Sequence, residues 1–224
     1  MSDEVKIVNG IVYDPTNKVS GKVKDICIRD GKVVESVSSK AKIIDAKGMI
    51  VMPGGIDIHC HIAGPKVNIA RKLLPEDHRL DPQFKNEHTR SGVGGVVPST
   101  FATGYRYATM GYTTCMEAAV PPLAARHALE ELYDTPVVDN GYYVLLGNNL
   151  FLQSLIAEGR MEEFKNAVGW WLNATKAYTV KIVNPGGDEP WKGHRNTNVK
   201  DIDEDSKATD VAPRKVIKLS LIHI

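Results

Sequence analysis

The feature that most narrows the fold is the regular exchange of strand and helix patterns from Gly55 onward. Apolar, β-rich runs at residues 56–62, 112–117, 141–146 and 177–183 alternate with stretches of helical spacing. Residues 99–110 put Phe101, Tyr105 and Ala108 on one helical face, and residues 121–132 open on prolines, which suit a first helical turn. Residues 150–175 have room for one or two helices, and a last helix is expected to begin near Pro213. Alternation of this kind builds a parallel sheet covered by helices. No dinucleotide-binding glycine pattern follows the first strand, which favours a (β/α)8 barrel over an open doubly wound sheet. A whole barrel takes about 250 residues, and 170 of the 224 follow Gly54. The expected architecture is α/β, the first half of a barrel with four βα units over residues 53–218.

Residues 1–52 follow another rhythm. Short β-rich runs at 5–8, 11–13, 24–29, 32–35, 43–45 and 49–52 are separated by turn residues. Asn9-Gly10 and Asp30-Gly31 stand between such runs and predict hairpins. These residues are expected to form a small antiparallel β module that ends before Pro53-Gly54-Gly55.

The sharpest chemical signal is Asp57-Ile58-His59-Cys60-His61 on the first barrel strand. Side chains alternate across a strand. His59 and His61 should therefore share the face that points into the barrel, and Ile58, Cys60 and Ile62 the face packed on helices. Barrel enzymes keep their sites at the C-terminal mouth. Two imidazoles about 6–7 Å apart along a strand can converge on one metal, for which zinc is well suited and iron or nickel also serve. Lys181 is the second signal, a lysine expected in the middle of an apolar parallel strand, where both faces are normally buried. Burial favours the neutral form of an amine, and a neutral amine can add carbon dioxide to become a carbamate, an anionic oxygen ligand.

The run from Val51 through Met52-Pro53-Gly54-Gly55 to His61 resembles the first-strand motif of the amidohydrolase superfamily. Its continuation, Ile62-Ala63-Gly64-Pro65-Lys66-Val67-Asn68, is similar to the A-subunit family of formylmethanofuran dehydrogenases, as are residues 74–78, 98–107, 110–114 and 143–149. The likeness runs from about Lys6 to Lys218. It implies a binuclear site with two zinc ions, held by His59, His61 and a carboxylated Lys181, the last by its match in Lys-Ile-Val-Asn-Pro-Gly-Gly. It implies condensation of formate with methanofuran to N-formylmethanofuran, or the reverse hydrolysis, in one-carbon metabolism or methanogenesis. The implied partners are methanofuran, formate and other subunits of a complex, among them a tungsten- or molybdenum-containing subunit. Further ligands, an aspartate among them, would come from later strands, so the 224-residue chain alone is expected to be inactive and poorly folded. Two rivals stand beside this reading: a dihydropyrimidinase-like cyclic-amide hydrolase, which would share the metal site but not segments 64–68 and 143–149, and a metal-free scaffold of the same fold.

Other residues carry weaker signals. Lys66 and Asn68 in the long 63–97 connection, and Asn149 after the third strand, are candidates to bind substrate. Glu117, Asn148, His78, His88 and Arg90 are expected to be ordinary loop or rim groups. His194 is not assigned. Trp170-Trp171 is expected to pack within a helix, and the acidic run 201–205 to be a solvated loop. Residues 219–224, Leu-Ser-Leu-Ile-His-Ile, match one reading frame of a sequencing adaptor and are expected to be a non-native tail. The charge balance, Lys+Arg 28 against Asp+Glu 27, gives no electrostatic footprint for nucleic acid. The apolar runs are too short for a membrane span, and the polar Met1-Ser2-Asp3-Glu4 is no secretory signal. Three scattered cysteines, Cys27, Cys60 and Cys115, suit reduced thiols in a cytoplasm.

Overall fold

A computed structural model describes residues 3–73, 84–92, 94, 99–147 and 149–182. Contacts divide the chain after Gly54 into two compact units. The first holds seven strands: β1 (Glu4–Val8), β2 (Ile11–Asp14), β3 (Val19–Val23), β4 (Ile26–Arg29), β5 (Lys32–Val34), β6 (Lys42–Asp45) and β7 (Ile50–Val51). They form two sheets, ordered β5-β4-β1-β6 and β3-β2-β7.

This module is mixed rather than antiparallel. β1 pairs with β6 in parallel, and β2 with β7 likewise. The β6–β7 stretch runs beside β1–β2 as the chain crosses from one sheet to the other, joined by Ala46 N–H to the Val8 carbonyl and Ile11 N–H to the Met49 carbonyl. The two expected hairpins part company for a local reason. A two-residue type I′ turn needs positive φ at both central residues. Asp30 (φ 49°) and Gly31 (φ 74°) supply it, and β4 and β5 pair across them. Asn9 (φ 62°) is left-handed but Gly10 is not, so β1 and β2 enter different sheets. Strand β3 has no clear apolar signal, because Ser20, Gly21 and Lys22 interrupt it and nearly all of it is exposed.

The second unit contains β8 (Gly55–Cys60), α1 (Pro65–Leu73), α2 (Phe101–Thr109), β9 (Tyr112–Val120), a single 3-10 turn (Pro122–Ala124) running into α3 (Ala125–Tyr133), β10 (Asp139–Leu145), α4 (Leu150–Ala157), α5 (Met161–Thr175) and β11 (Thr179–Lys181). The strands lie in the order β8-β9-β10-β11, every neighbouring pair parallel. Sequential order without a reversal point is that of a barrel, whereas a doubly wound sheet reverses direction at a switch point. The core lies between sheet and helices. Cys115, Val120, Tyr142 and Val144 from the strands meet Ala128, Leu132, Leu152 and Leu155 from α3 and α4. Each large aliphatic side chain removed from water in this way contributes about 1.5–3 kcal/mol. Helix α2 packs so closely on the chain before β10 that a Cβ at Gly104 would lie 2.0 Å from the Pro136 carbonyl oxygen.

Several boundaries differ from expectation. The long connection opens with α1. β9 runs on to Val120, because Ala118, Ala119 and Val120 are buried. β11 is short and Lys181 is its last residue rather than its middle. Residues 150–175 form two helices, divided at Gly159 (φ 72°). Trp171 packs against the core while Trp170 is exposed. The expected helix near Pro213, the acidic run 201–205 and the tail 219–224 lie outside the described residues. Among the described residues no helix is long and apolar enough to cross a membrane.

Candidate metal centre

Strands β8 and β11 occupy opposite edges of the four-stranded sheet. Three strand spacings of about 4.8 Å would hold them about 14 Å apart if the sheet were flat. Yet Nζ of Lys181 lies 3.4 Å from Nδ1 of His59. The sheet is therefore curled, and the two side chains meet across its concave side. Both stand at the C-terminal ends of their strands, the end at which barrel enzymes work. Lys181 is half-buried, not fully enclosed as a mid-strand position would make it.

Strict alternation along β8 does not hold. Asp57 pairs with Cys115 and Cys60 with Glu117, three steps on β8 against two on β9. That extra residue is a β-bulge, a device that re-aims side chains. Asp57 Oδ1 accepts from the His59 N–H at 3.0 Å, and its Oδ2 accepts from the Tyr107 hydroxyl at 3.3 Å. Of the three residues expected to pack on helices, Cys60 and Ile62 are buried, but Ile58 is 65% exposed. His61 lies just beyond the strand. Its ring and that of His59 are 5.7 Å apart and nearly perpendicular, at 88°.

His61 is held from behind. Its Nδ1 is 2.9 Å from Oε1 of Glu117, a carboxylate only 1% exposed. Glu117 is thus no loosely placed rim group. Its Oε2 accepts from the N–H groups of Ile62 (2.7 Å) and Ala63 (3.1 Å), and its Oε1 from that of Ala119 (3.2 Å). A second buried carboxylate, Glu131 on α3, accepts from the Gly64 N–H at 2.7 Å and from Asn68 Nδ2 at 2.6 Å. Two acids from one βα unit, β9 and the helix after it, therefore receive three consecutive backbone N–H groups, those of residues 62, 63 and 64. Burying a carboxylate without such donors is costly; here the donors are the backbone that carries His61 into α1. Glu131 is not among the residues singled out from the sequence. The signal that could have found it is an acid on the same helical face as the buried Ala125, Ala128 and Leu132.

The weaker candidates fare variously. Lys66 is exposed on α1, and Asn68 is tied to Glu131. Asn149 caps α4, its Oδ1 accepting from the Leu152 N–H at 3.1 Å. His88 is exposed beside Glu87, and the Arg90 guanidinium stacks 4.1 Å above the Tyr133 ring. His78, Asn148 and His194 lie outside the described residues.

The donor chemistry fits a metal. Two imidazoles with an amine at the same mouth are the kind of set that nitrogen-loving divalent ions take. Among the described residues no third His, Cys, Asp or Glu joins them to make a complete cluster. The cysteines do not compete. Burial, with Asp57 next in effect, pushes the Cys60 thiol up to about 12, and burial likewise lifts Cys115 to about 11. They remain thiols at neutral pH, and thiolates are the ligating form.

Known proteins resemble this chain over most of its length. The profile of the Amidohydrolase family matches residues 42–205. Protein FwdA of Methanocaldococcus jannaschii is 48% identical over 215 residues, covering 96% of this chain and 37% of that protein. The A-subunit of formyltransferase/hydrolase complex Fhc of Methylorubrum extorquens is 39% identical over 192 residues, covering 84% of this chain and 34% of its own. The crystal structure of the formyltransferase/hydrolase complex from Methylorubrum extorquens with methylofuran superposes with a TM-score of 0.69 at 35% identity, covering 85% of this chain and 34% of the matched one. The chain spans about a third of the length of these relatives. It belongs to the amidohydrolase family.

Proposed function

We propose that this chain supplies the first ligands of a binuclear zinc site in a subunit that interconverts N-formylmethanofuran with formate and methanofuran. The observation that carries the reading is the meeting of His59 and Lys181 at 3.4 Å across the curled sheet, with His61 beside them. The remaining ligands and the full eightfold barrel belong to the longer protein.

In this reading His59, His61 and a carboxylated Lys181 hold the two metals. Carboxylation joins Nζ to the carbon of carbon dioxide and releases a proton, giving an anionic oxygen donor. When bound, the metals supply Lewis-acid polarisation of the formamide carbonyl. In the hydrolytic direction the formyl C–N bond breaks, the hydroxyl of water joins the formyl carbon, and its other hydrogen goes to the methanofuran amine. Condensation is the same step reversed. The chain's own residues orient the site. Glu117 fixes the His61 ring, and the bulge at residues 57–60 aims His59. Lys66, Asn68 and Asn149 stand on the elements that follow β8 and β10, where they are proposed to meet the substrate.

The solved relative supports a many-subunit setting, since it is a complex and carries methylofuran. A tungsten- or molybdenum-containing partner that reduces carbon dioxide to formate is proposed to feed the site. Three free, buried cysteines agree with a cytoplasmic location.

The test is an assay of the full-length protein. Formate release from N-formylmethanofuran, without opening of hydantoins and with about two metals per chain, is the expected result. Hydantoin opening would favour the cyclic-amide hydrolase, and a metal-free, inactive protein would favour the scaffold.

A further inference from the structure

Glu117 does more than fill a core position. Each of its oxygens faces a donor: Oε2 the N–H groups of Ile62 and Ala63, Oε1 the N–H of Ala119. An ionised carboxylate has no hydrogen to give, so against Glu117 every neighbour must donate. Nδ1 of His61, 2.9 Å from Oε1, is held to the same rule and carries its hydrogen toward Glu117. In a neutral imidazole the lone pair then sits on Nε2, on the far side of the ring. Which ring nitrogen can ligate is set by the hydrogen bond the other makes.

We infer that Glu117 is a positioning residue that fixes the tautomer of His61, so that Nε2 is the nitrogen presented at the mouth of the sheet. The inference rests on the metal-site reading for what Nε2 then holds. The same carboxylate also fixes where the ring stands, because Ile62 and Ala63, the two residues after His61, hang from its other oxygen. Position and tautomer of one candidate ligand are thus set by one buried side chain on the neighbouring strand.

The substitution Glu117→Gln separates this role from simple packing. To keep the Ile62 and Ala63 bonds, the amide oxygen must replace Oε2, and the amide nitrogen must replace Oε1. That nitrogen donates to Nδ1 of His61, drives the ring hydrogen to Nε2, and removes the lone pair from the side facing the mouth. Only the longest backbone bond, 3.2 Å to Ala119, is lost.

In the full-length protein, competition with a chelator should show zinc bound about 10–100-fold more weakly in E117Q than in wild type, the range typical of outer partners of ligating histidines, with a cooperative melt retained. Wild-type affinity in E117Q would overturn the inference. Where E117Q fails to fold, nitrogen-15 spectra of histidine-labelled, metal-free wild type decide, with H61A used to assign the signal. An Nδ1–H tautomer at His61 supports the inference and an Nε2–H tautomer overturns it. Failure of the metal-site reading looks different. H61A would then bind zinc as wild type does, which sinks the ligand half of the inference whatever the tautomer.

Discussion

The two edges of the barrel sheet hold their candidate ligands by different means. On the β8–β9 side, His61 is pinned by a buried carboxylate that also carries the backbone of the two residues after it. On the β11 side, Lys181 ends a three-residue strand, half-buried, with its amine near His59 at 3.4 Å. One edge is fixed before any metal arrives. The other offers an amine whose proposed role depends on a further covalent step, addition of carbon dioxide. Order at a site of this kind need not be evenly distributed; here it is concentrated where two buried acids replace solvent for three successive N–H groups.

The largest effects should come from removing ligands. In the full-length protein, H59A, H61A or K181A should each cut formate release by more than the 10–100-fold typical of outer partners, with metal content falling in step. If K181A alone kept its metals and turnover, the β11 edge would have no part in the site and the contrast would break. Next in size is the core beneath the site. Leu155→Ala should cost about 2–5 kcal/mol, read by denaturant unfolding, because Leu155 is fully buried in the packed cluster. Glu131→Ala should cost about 1–3 kcal/mol for each donor left unsatisfied, since Gly64 N–H and Asn68 Nδ2 lose their acceptor; a null effect would mean the second acid contributes nothing to the fixed edge. By contrast Val33→Ala, on an exposed strand of the first unit, should stay within about 0.5 kcal/mol.

A further effect is one of pH. The Cys60 and Cys115 thiols are raised in the folded protein to about 12 and about 11, from an ordinary value of 9.0. Their contribution to stability is complete below pH about 9 and declines as pH rises through that window, because the unfolded chain loses these protons first. Alkylation at pH 8 should accordingly be slow at both and accelerate only on unfolding.

Much of the fold is legible in the sequence because its signals are local. Strand and helix periods alternate plainly after Gly55, and the pairing of positive φ at Asp30 and Gly31 makes that hairpin readable. Asn9-Gly10 offers an equivalent turn signal, but the chain crossing there is decided by β6 (Lys42–Asp45) and β7 (Ile50–Val51), far along the sequence. The histidine pair is legible by spacing. The bulge that aims it is not, since a bulge on β8 depends on its register with β9. Lys181 stands out as a charge in an apolar strand, whereas its place at the strand's end depends on where pairing with β10 stops. Glu117 is only weakly visible, and Glu131 shows only as an acid on the apolar face of its helix, because a buried acid is explained by donors far off in sequence, most of them backbone groups that no side-chain pattern announces.

The most direct test is the structure of the full-length protein grown with zinc, with metal positions located by anomalous scattering. Two zinc ions at the mouth of the sheet, with ring nitrogens of His59 and His61 at about 2.0–2.1 Å and added density on Nζ of Lys181 bridging the pair, are predicted. Zinc bound elsewhere, with these three side chains free and Lys181 unmodified, would contradict the assignment.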